Sequence, residues 1–280
     1  MAVKGSRDGL IPSGNKDLTR VTSLITPKRL KEEYLFGISL IDPNTGLELT
    51  DKNLQSFIDN AVSLFEHYLD LAITPVQDFI EYRDYHMNEY LDWGYFSLNN
   101  YPIIQIKEMA MVYLRNDDGT PLTKTTIPEA WIRLQPHDGI VRMFPNRNIP
   151  LNLQVNAAGA YFPELLRSGM VPHLWEIKYD YGFCPGGIPV LLNQAIGYAA
   201  AMQTLIIMGN LVLGAGIASS SISLDGLSQS INTTQSAENS AYSATIKDYS
   251  SRLFGTREGD PFAIITILKN YYKGQDINLI

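Results

Sequence analysis

A chain of 280 residues with 45% hydrophobic content can bury one large core or two modest ones. Its formal charge of −7 disfavours tight nucleic-acid binding, because that affinity comes mainly from neutralising phosphates. Charged residues make up only 18% against the usual value of roughly a quarter, while tyrosines number 16, so much of the surface is hidden in subunit contacts or in a membrane.

Residues 1–49 are rich in turn formers and basic side chains: Gly5, Gly9, Pro12, Gly14, then Pro27, Lys28 and Arg29, then Asp42 to Gly46. They read as an arm with one short element near Lys28–Phe36. The first twenty residues hold no apolar h-region, so no signal peptide is expected. A helix follows. Thr50 is placed as its N-cap, and Leu54, Phe57, Ile58, Ala61, Phe65, Tyr68, Leu69 and Ala72 recur at helical spacing up to a stop at Thr74 and Pro75.

From Val76 to about Tyr181 the pattern turns to short β-rich runs. Strands are predicted over Phe79–Arg83, Ile103–Arg115, Ala130–Leu134, Ile140–Phe144 and Leu174–Tyr181, with turns at residues 116–119, 136–139 and 145–148 and a short helix over Tyr161–Ser168. Helix resumes at Pro189 and runs to about Leu213, and another is expected from Thr233 or Ser236 to Leu253. The apolar run from Phe262 to Leu268 reads as a strand.

Between Asp180 and Asp225 there is no Asp, Glu, Lys, Arg or His. Such a run is buried in lipid, in a core, or against neighbouring subunits. A bilayer span fits its length, but Asn193, Gln194, Gln203, Thr204 and Asn210 interrupt it and no Lys or Arg flanks it, so no membrane is expected. Gly214, Ala215 and Gly216 approach a dinucleotide fingerprint, yet Ser219 to Ser223 make a poor helix start and no βαβ repeat surrounds them. A packing helix remains, with Gly197, Ala201, Leu205 and Met208 on one face, open to a helix of the same chain or of a neighbour.

The order of several strings resembles the head-to-tail connector (adaptor) proteins of tailed phages. These are Tyr181 to Phe183, Ile188 and Pro189, the Ala-rich helix, Gly209 to Leu211, Gly214 to Ile217, Ser221 to Leu227, and upstream Tyr101 to Ile103 leading into a strand. The match covers about residues 50–115 and 175–253. It implies an α+β fold: a helical bundle of connector-adaptor type with an inserted β-rich module and extended N- and C-terminal arms. Its implied parts are an arm over 1–49, a helical core over 50–115 and 176–255, the inserted module over 116–175, and a tail over 256–280.

The resemblance further implies a virion protein of the neck between capsid and tail, assembled in the host cytoplasm. It would form a ring, commonly twelvefold, bound to the portal protein above and a downstream neck or tail protein below, with genomic DNA passing through without specific binding. The large β-rich middle and the long tail depart from that family's pattern, and a tail-completion or baseplate-associated protein is the alternative.

Within this reading three segments are singled out. Gly197, Ala201, Leu205 and Met208 are candidates for subunit packing. The uncharged hairpin holding Ser221, Ser223, Asp225, Gly226, Ser228 and Gln229 is placed at the channel wall or portal contact, or is a plain surface hairpin. Phe262, Ile264, Ile265 and Ile267 would add a strand to an adjoining sheet, or pack on their own β-module.

No catalysis, metal or cofactor is expected. His67, His86, His137 and His173 are scattered, and Cys184 beside Pro185 reads as an inert loop thiol that has no partner for an internal disulfide.

Overall fold

A computed structural model describes residues 3–4, 20–42, 44–86, 95–115, 121–144, 169–213, 219–224, 227–232, 242–257 and 260–272. The chain opens with strands β1 (Val3–Lys4) and β2 (Val21–Thr22), then a short helix α1 (Pro27–Arg29) that widens into a π turn, Leu30–Tyr34. Helix α2 (Asp51–Leu69) leads to β3 (Val76–His86), β4 (Tyr95–Ser97), β5 (Ile103–Arg115), β6 (Pro121–Thr126), β7 (Ile132–Gln135), β8 (Ile140–Met143) and β9 (Met170–Tyr181). After β10 (Ile188–Pro189) come α3 (Val190–Leu213), β11 (Ser219–Leu224), β12 (Leu227–Asn232), α4 (Ser243–Phe254) and α5 (Ile264–Tyr272). The protein is a mixed α+β chain.

Two compact units share it. One comprises residues 1–14 and 71–185, the other 15–70 and 186–280. The boundaries differ from those expected at 115/116 and 175/176. Residues 71–115 and 176–185 belong with the sheets and not with the helices, because β3, β5 and β9 are hydrogen-bonded neighbours.

In the β-rich unit the main sheet is antiparallel, in the order β1-β5-β9-β3 with β6 also on β5, and β4-β8-β7 form a smaller sheet. Strand β9 shows why these residues choose strand: Trp175, Ile177 and Tyr179 are buried while Glu176 and Lys178 between them stay partly exposed, the two-residue period of a sheet. Those three join Ile106, Met109, Trp131 and Val141 in one core fed by both sheets.

The β3–β9 ladder slips twice, and each slip holds a residue with positive φ, Asp78 (57°) and His173 (50°). A carboxylate across the ladder satisfies each one's amide: Asp78 N–H donates to Asp180 at 2.8 Å, and His173 N–H to Asp84 at 2.8 Å. Lys107 lies 2.7 Å from Asp180 and 3.0 Å from Asp78, Lys178 lies 2.9 Å from Asp78, and Gln105 donates to Asp180 at 2.6 Å.

The two lysines, Lys178 first, hold Asp78 below the usual carboxylate range. Burial pushes Asp180 up, but Lys107, the Asp78 amide and Gln105 outweigh it and leave it lowered too. Carboxylates with depressed folded pKa values stabilise the fold above their unfolded value, near 4, and lose that contribution as pH falls through the folded one. Lys107→Met removes the shared cation and raises Asp180. Urea midpoints of this variant are therefore expected to lie below the parent's at neutral pH and to fall less on acidification to about pH 3, so that the gap between the two narrows. A gap that stays constant down to about pH 3 would refute the network's role.

In the helical unit, α2 begins at Thr50, whose side chain takes the Asn53 amide while Asn53 bonds back to the Thr50 backbone, a capping box. Its buried stripe is Leu54, Ile58, Ala61, Val62, Phe65 and Leu69. The helix stops at Leu69, short of the expected Ala72. Asp70 turns left-handed (φ 55°), and the Ala72 amide bonds to the Tyr101 carbonyl at 2.9 Å.

The tail run corrects the sequence reading. Ile264, Ile265 and Ile267 lie in helix α5, not in a strand, and Phe262 precedes it. Ile264, Leu268 and Tyr272 fall four apart and are buried together, so the short apolar run follows the helical period. Packed on α3 and α4, it is not a free strand for an adjoining sheet.

The described strands extend or shift others by a few residues. Residues 129–131 form a 3₁₀ turn before β7, and α4 starts at Ser243. The helix expected over 161–168 and the turns at 116–119 and 145–148 lie outside the described residues, the last but for its neighbour Phe144.

Candidate functional site

Helix α3 is the centre of the helical unit. It packs on α2, α4, α5 and the π turn, and from Leu192 to Leu205 most of its positions are buried. Within the charge-free run the two buried polar side chains among the described residues are satisfied internally. Asn193, 4% exposed, accepts from the Ile25 amide at 2.8 Å, and Thr204 donates to the Ala200 carbonyl at 2.9 Å. At its far end Asn44 donates to the Leu211 carbonyl at 3.0 Å, covering one of the terminal carbonyls. Residues 190–212 are long and apolar enough to cross a bilayer, as core helices of this length also are, and this one is enclosed along most of its length by its own chain.

That enclosure relocates the expected packing face. Gly197 lies under the Tyr34 ring, so close that an added Cβ would meet Tyr34 Cζ at 2.5 Å. Ala201, Leu205 and Met208 are buried as well. Tyr34 is wedged edge-on against Tyr198 (5.2 Å) and Tyr249 (6.4 Å), and the Tyr249 hydroxyl donates to the Tyr34 carbonyl at 2.6 Å. Burial drives the Tyr34 hydroxyl pKa upward. The face is filled within the chain and is not offered to a neighbour. The apolar surface α3 does expose is at its C-terminal end: Ile206, Ile207 and Val212.

Past α3, β11 and β12 pair antiparallel over six positions, from Ser219↔Asn232 to Leu224↔Leu227. The last pair leaves two residues for the turn, as the hairpin reading requires; Asp225 and Gly226 themselves lie outside the described residues. The ribbon is a sheet of its own among the described residues. Alternate positions of a ribbon belong to opposite faces. One row is Ser219, Ser221 and Ser223 opposite Asn232, Ser230 and Ser228; the other is Ser220, Ile222 and Leu224 opposite Ile231, Gln229 and Leu227. Ser221, Ser223 and Ser228 therefore share the hydroxyl row and Gln229 belongs to the mixed one. This two-row character follows from the register and was readable from the alternation in sequence.

The remaining candidates stay apart. His67 is exposed on α2, His86 ends β3, His137 sits 2.8 Å from Asp138, and His173 stacks on Tyr82. Cys184 is a half-buried free thiol. Among the described residues no three His, Cys, Asp or Glu side chains gather as a metal site would require.

No family model and no curated protein matches this chain. Two solved structures are similar to it in part. One, the virion of a native gene transfer agent particle, shares 18% identity over 64% of this chain and 76% of that one, with a TM-score of 0.36. The other, the neck of an empty gene transfer agent particle computed with C6 symmetry, shares 14% identity over 89% and 94%, with a TM-score of 0.34.

Proposed function

We propose that this chain is a non-enzymatic structural subunit of a tailed-phage type of neck. It forms a ring, twelvefold in the family it resembles, under the portal protein and above a further neck or tail protein. The observation that carries the reading is the fate of the charge-free run: residues 190–213 form the central helix of the helical unit, and its last six residues, 219–224, open a ribbon that is a sheet of its own among the described residues.

A two-stranded ribbon alone is marginal in water and needs further packing. Its mixed row, with Ile222, Leu224, Leu227 and Ile231, is suited to protein contact. Its hydroxyl row carries no charge and is suited to DNA sliding past without being held, since retention rests on cations at phosphates. Side-by-side burial of subunits falls to the exposed end of α3, and a heterologous contact of this kind closes into a ring when its rotation returns to the start.

Replacing residues 219–232 by a short Gly/Ser link tests the reading. The variant is expected to keep the parent's helix content and urea midpoint and to lose incorporation under the portal. Undiminished incorporation, with DNA transfer intact, would overturn it.

A further inference from the structure

A strand at the edge of a sheet offers unpaired N–H and C=O groups to any other strand, and native edges are blunted by bulges, charges or prolines. Two edges of this chain are blunted in such ways. End strand β3 carries two register slips and the charges of Asp78, Glu81, Arg83 and Asp84. At end strand β7, Arg133 Nη1 folds back to donate to the carbonyls of Ala130 and Ile132, at 3.0 and 3.1 Å.

The β11–β12 ribbon has none of these devices. Its six pairs run without a slip, and neither strand holds a charged residue or a proline. Both strands are edges, because the ribbon is a sheet of its own among the described residues. With two residues left for the turn, the closing pair Leu224↔Leu227 is a hydrogen-bonded one, and hydrogen-bonded and open pairs alternate from there. Ser219, Ser221 and Ser223 on one strand, and Ser228, Ser230 and Asn232 on the other, therefore turn their backbone groups outward.

Strand direction selects the partner. Rotation about a ring axis sets β12 of one copy beside β11 of the next, and those two strands are antiparallel, as β11 and β12 are within a copy. We infer that the ribbons of neighbouring copies pair edge to edge, β12 on β11, into a closed antiparallel barrel around the channel. Closure removes every edge the ribbon leaves open. With strands about 4.8 Å apart and tilted about 40°, the twelvefold ring proposed above closes at about 48 Å between opposite backbones, which leaves a lumen that passes duplex DNA. Positions along a barrel strand alternate between lumen and outside, so one row, the hydroxyl row, lines the lumen in every copy. Resting on the ring reading above, this pairing names the backbone that joins its subunits.

Hydrogen exchange on the parent chain, free and in rings assembled on its portal, reads the edges, and cysteine pairing reads the partner. The amides of Ser219, Ser221, Ser223, Ser228, Ser230 and Asn232 are expected to exchange freely in the free chain and slowly in the ring. In a Cys184→Ser background, Ser221→Cys chains are mixed before assembly with Ser228→Cys, Ser230→Cys or Asn232→Cys chains, all on one row, and oxidised. A disulfide-linked dimer is expected in at least one mixture. None is expected in rings of Ser221→Cys alone, whose β11 strands lie about 9.6 Å apart, beyond the reach of about 7 Å that a disulfide allows. Rings with unprotected edges, protected edges with no β11–β12 disulfide, or dimers from Ser221→Cys alone overturn the barrel and leave the ring reading standing. A parent chain that forms no ring on the portal overturns both.

Discussion

Gly182→Ala is expected to be the most damaging small substitution in the protein. Gly182 follows β9 with φ 95°, a region that costs a non-glycine residue about 1–3 kcal/mol. An added Cβ would also lie 2.5 Å from the Thr74 carbonyl oxygen and 2.8 Å from Pro75 Cα, backbone atoms that cannot swing away. The neighbouring backbone has nowhere to go either: Gly182 N–H donates to the Pro102 carbonyl at 2.8 Å and Phe183 N–H to that of Ile73 at 3.3 Å. Overpacking adds about 1–3 kcal/mol, so the total is a large share of the ~5–15 kcal/mol that holds a domain together. All three tryptophans (Trp93, Trp131 and Trp175) fall in residues 71–185, so tryptophan fluorescence in urea reports on this unit. Gly169→Ala, in the same unit, is the control: nothing lies within 4 Å of an added Cβ there, so little loss is expected. Equal midpoints for the two variants would contradict the steric account.

The second large effect concerns the ribbon. Ser221, Ser223 and Ser228 lie on the row proposed to face DNA, and arginine at all three would place cations where the parent has hydroxyls. Each phosphate newly neutralised steepens the dependence of log K on log salt by about 0.9. Rings that carry this triple substitution should retain duplex DNA at low salt and release it as salt rises, whereas the parent ring should not retain it. Gln229→Arg, on the other row, should leave retention low. Triple-variant rings as slippery as the parent would remove the hydroxyl row from the channel wall.

The helices and strands that carry the fold were legible because their periods are long and clean. The stripe from Leu54 to Leu69 repeats every three or four residues, and Trp175, Ile177 and Tyr179 alternate. The N-cap at Thr50 and the two residues left for a turn after Leu224 are local chemistry and were legible for the same reason. What was not legible depends on partners far along the chain. The division at 70/71 and 185/186 follows from β5 choosing β9 beside it, a pairing of residues about seventy positions apart that no local pattern encodes. Gly197 was read as part of a face on which another helix packs, and the structure puts the Tyr34 side chain there, from the short element expected over Lys28–Phe36. The run from Phe262 to Leu268 is too short to separate strand from helix by period. Only the burial of Ile264, Leu268 and Tyr272 on one side, with Phe262 left in water, decides it.

The central claim is that this chain closes into a ring beneath a portal with its uncharged ribbon turned to the channel. Cryo-electron microscopy of the purified chain mixed with its portal tests that most directly. The account predicts an added ring coaxial with the portal, with residues 219–232 on the inner wall. A mixture in which the chain never joins the portal, or a ring whose ribbons lie on the outer rim, would contradict it.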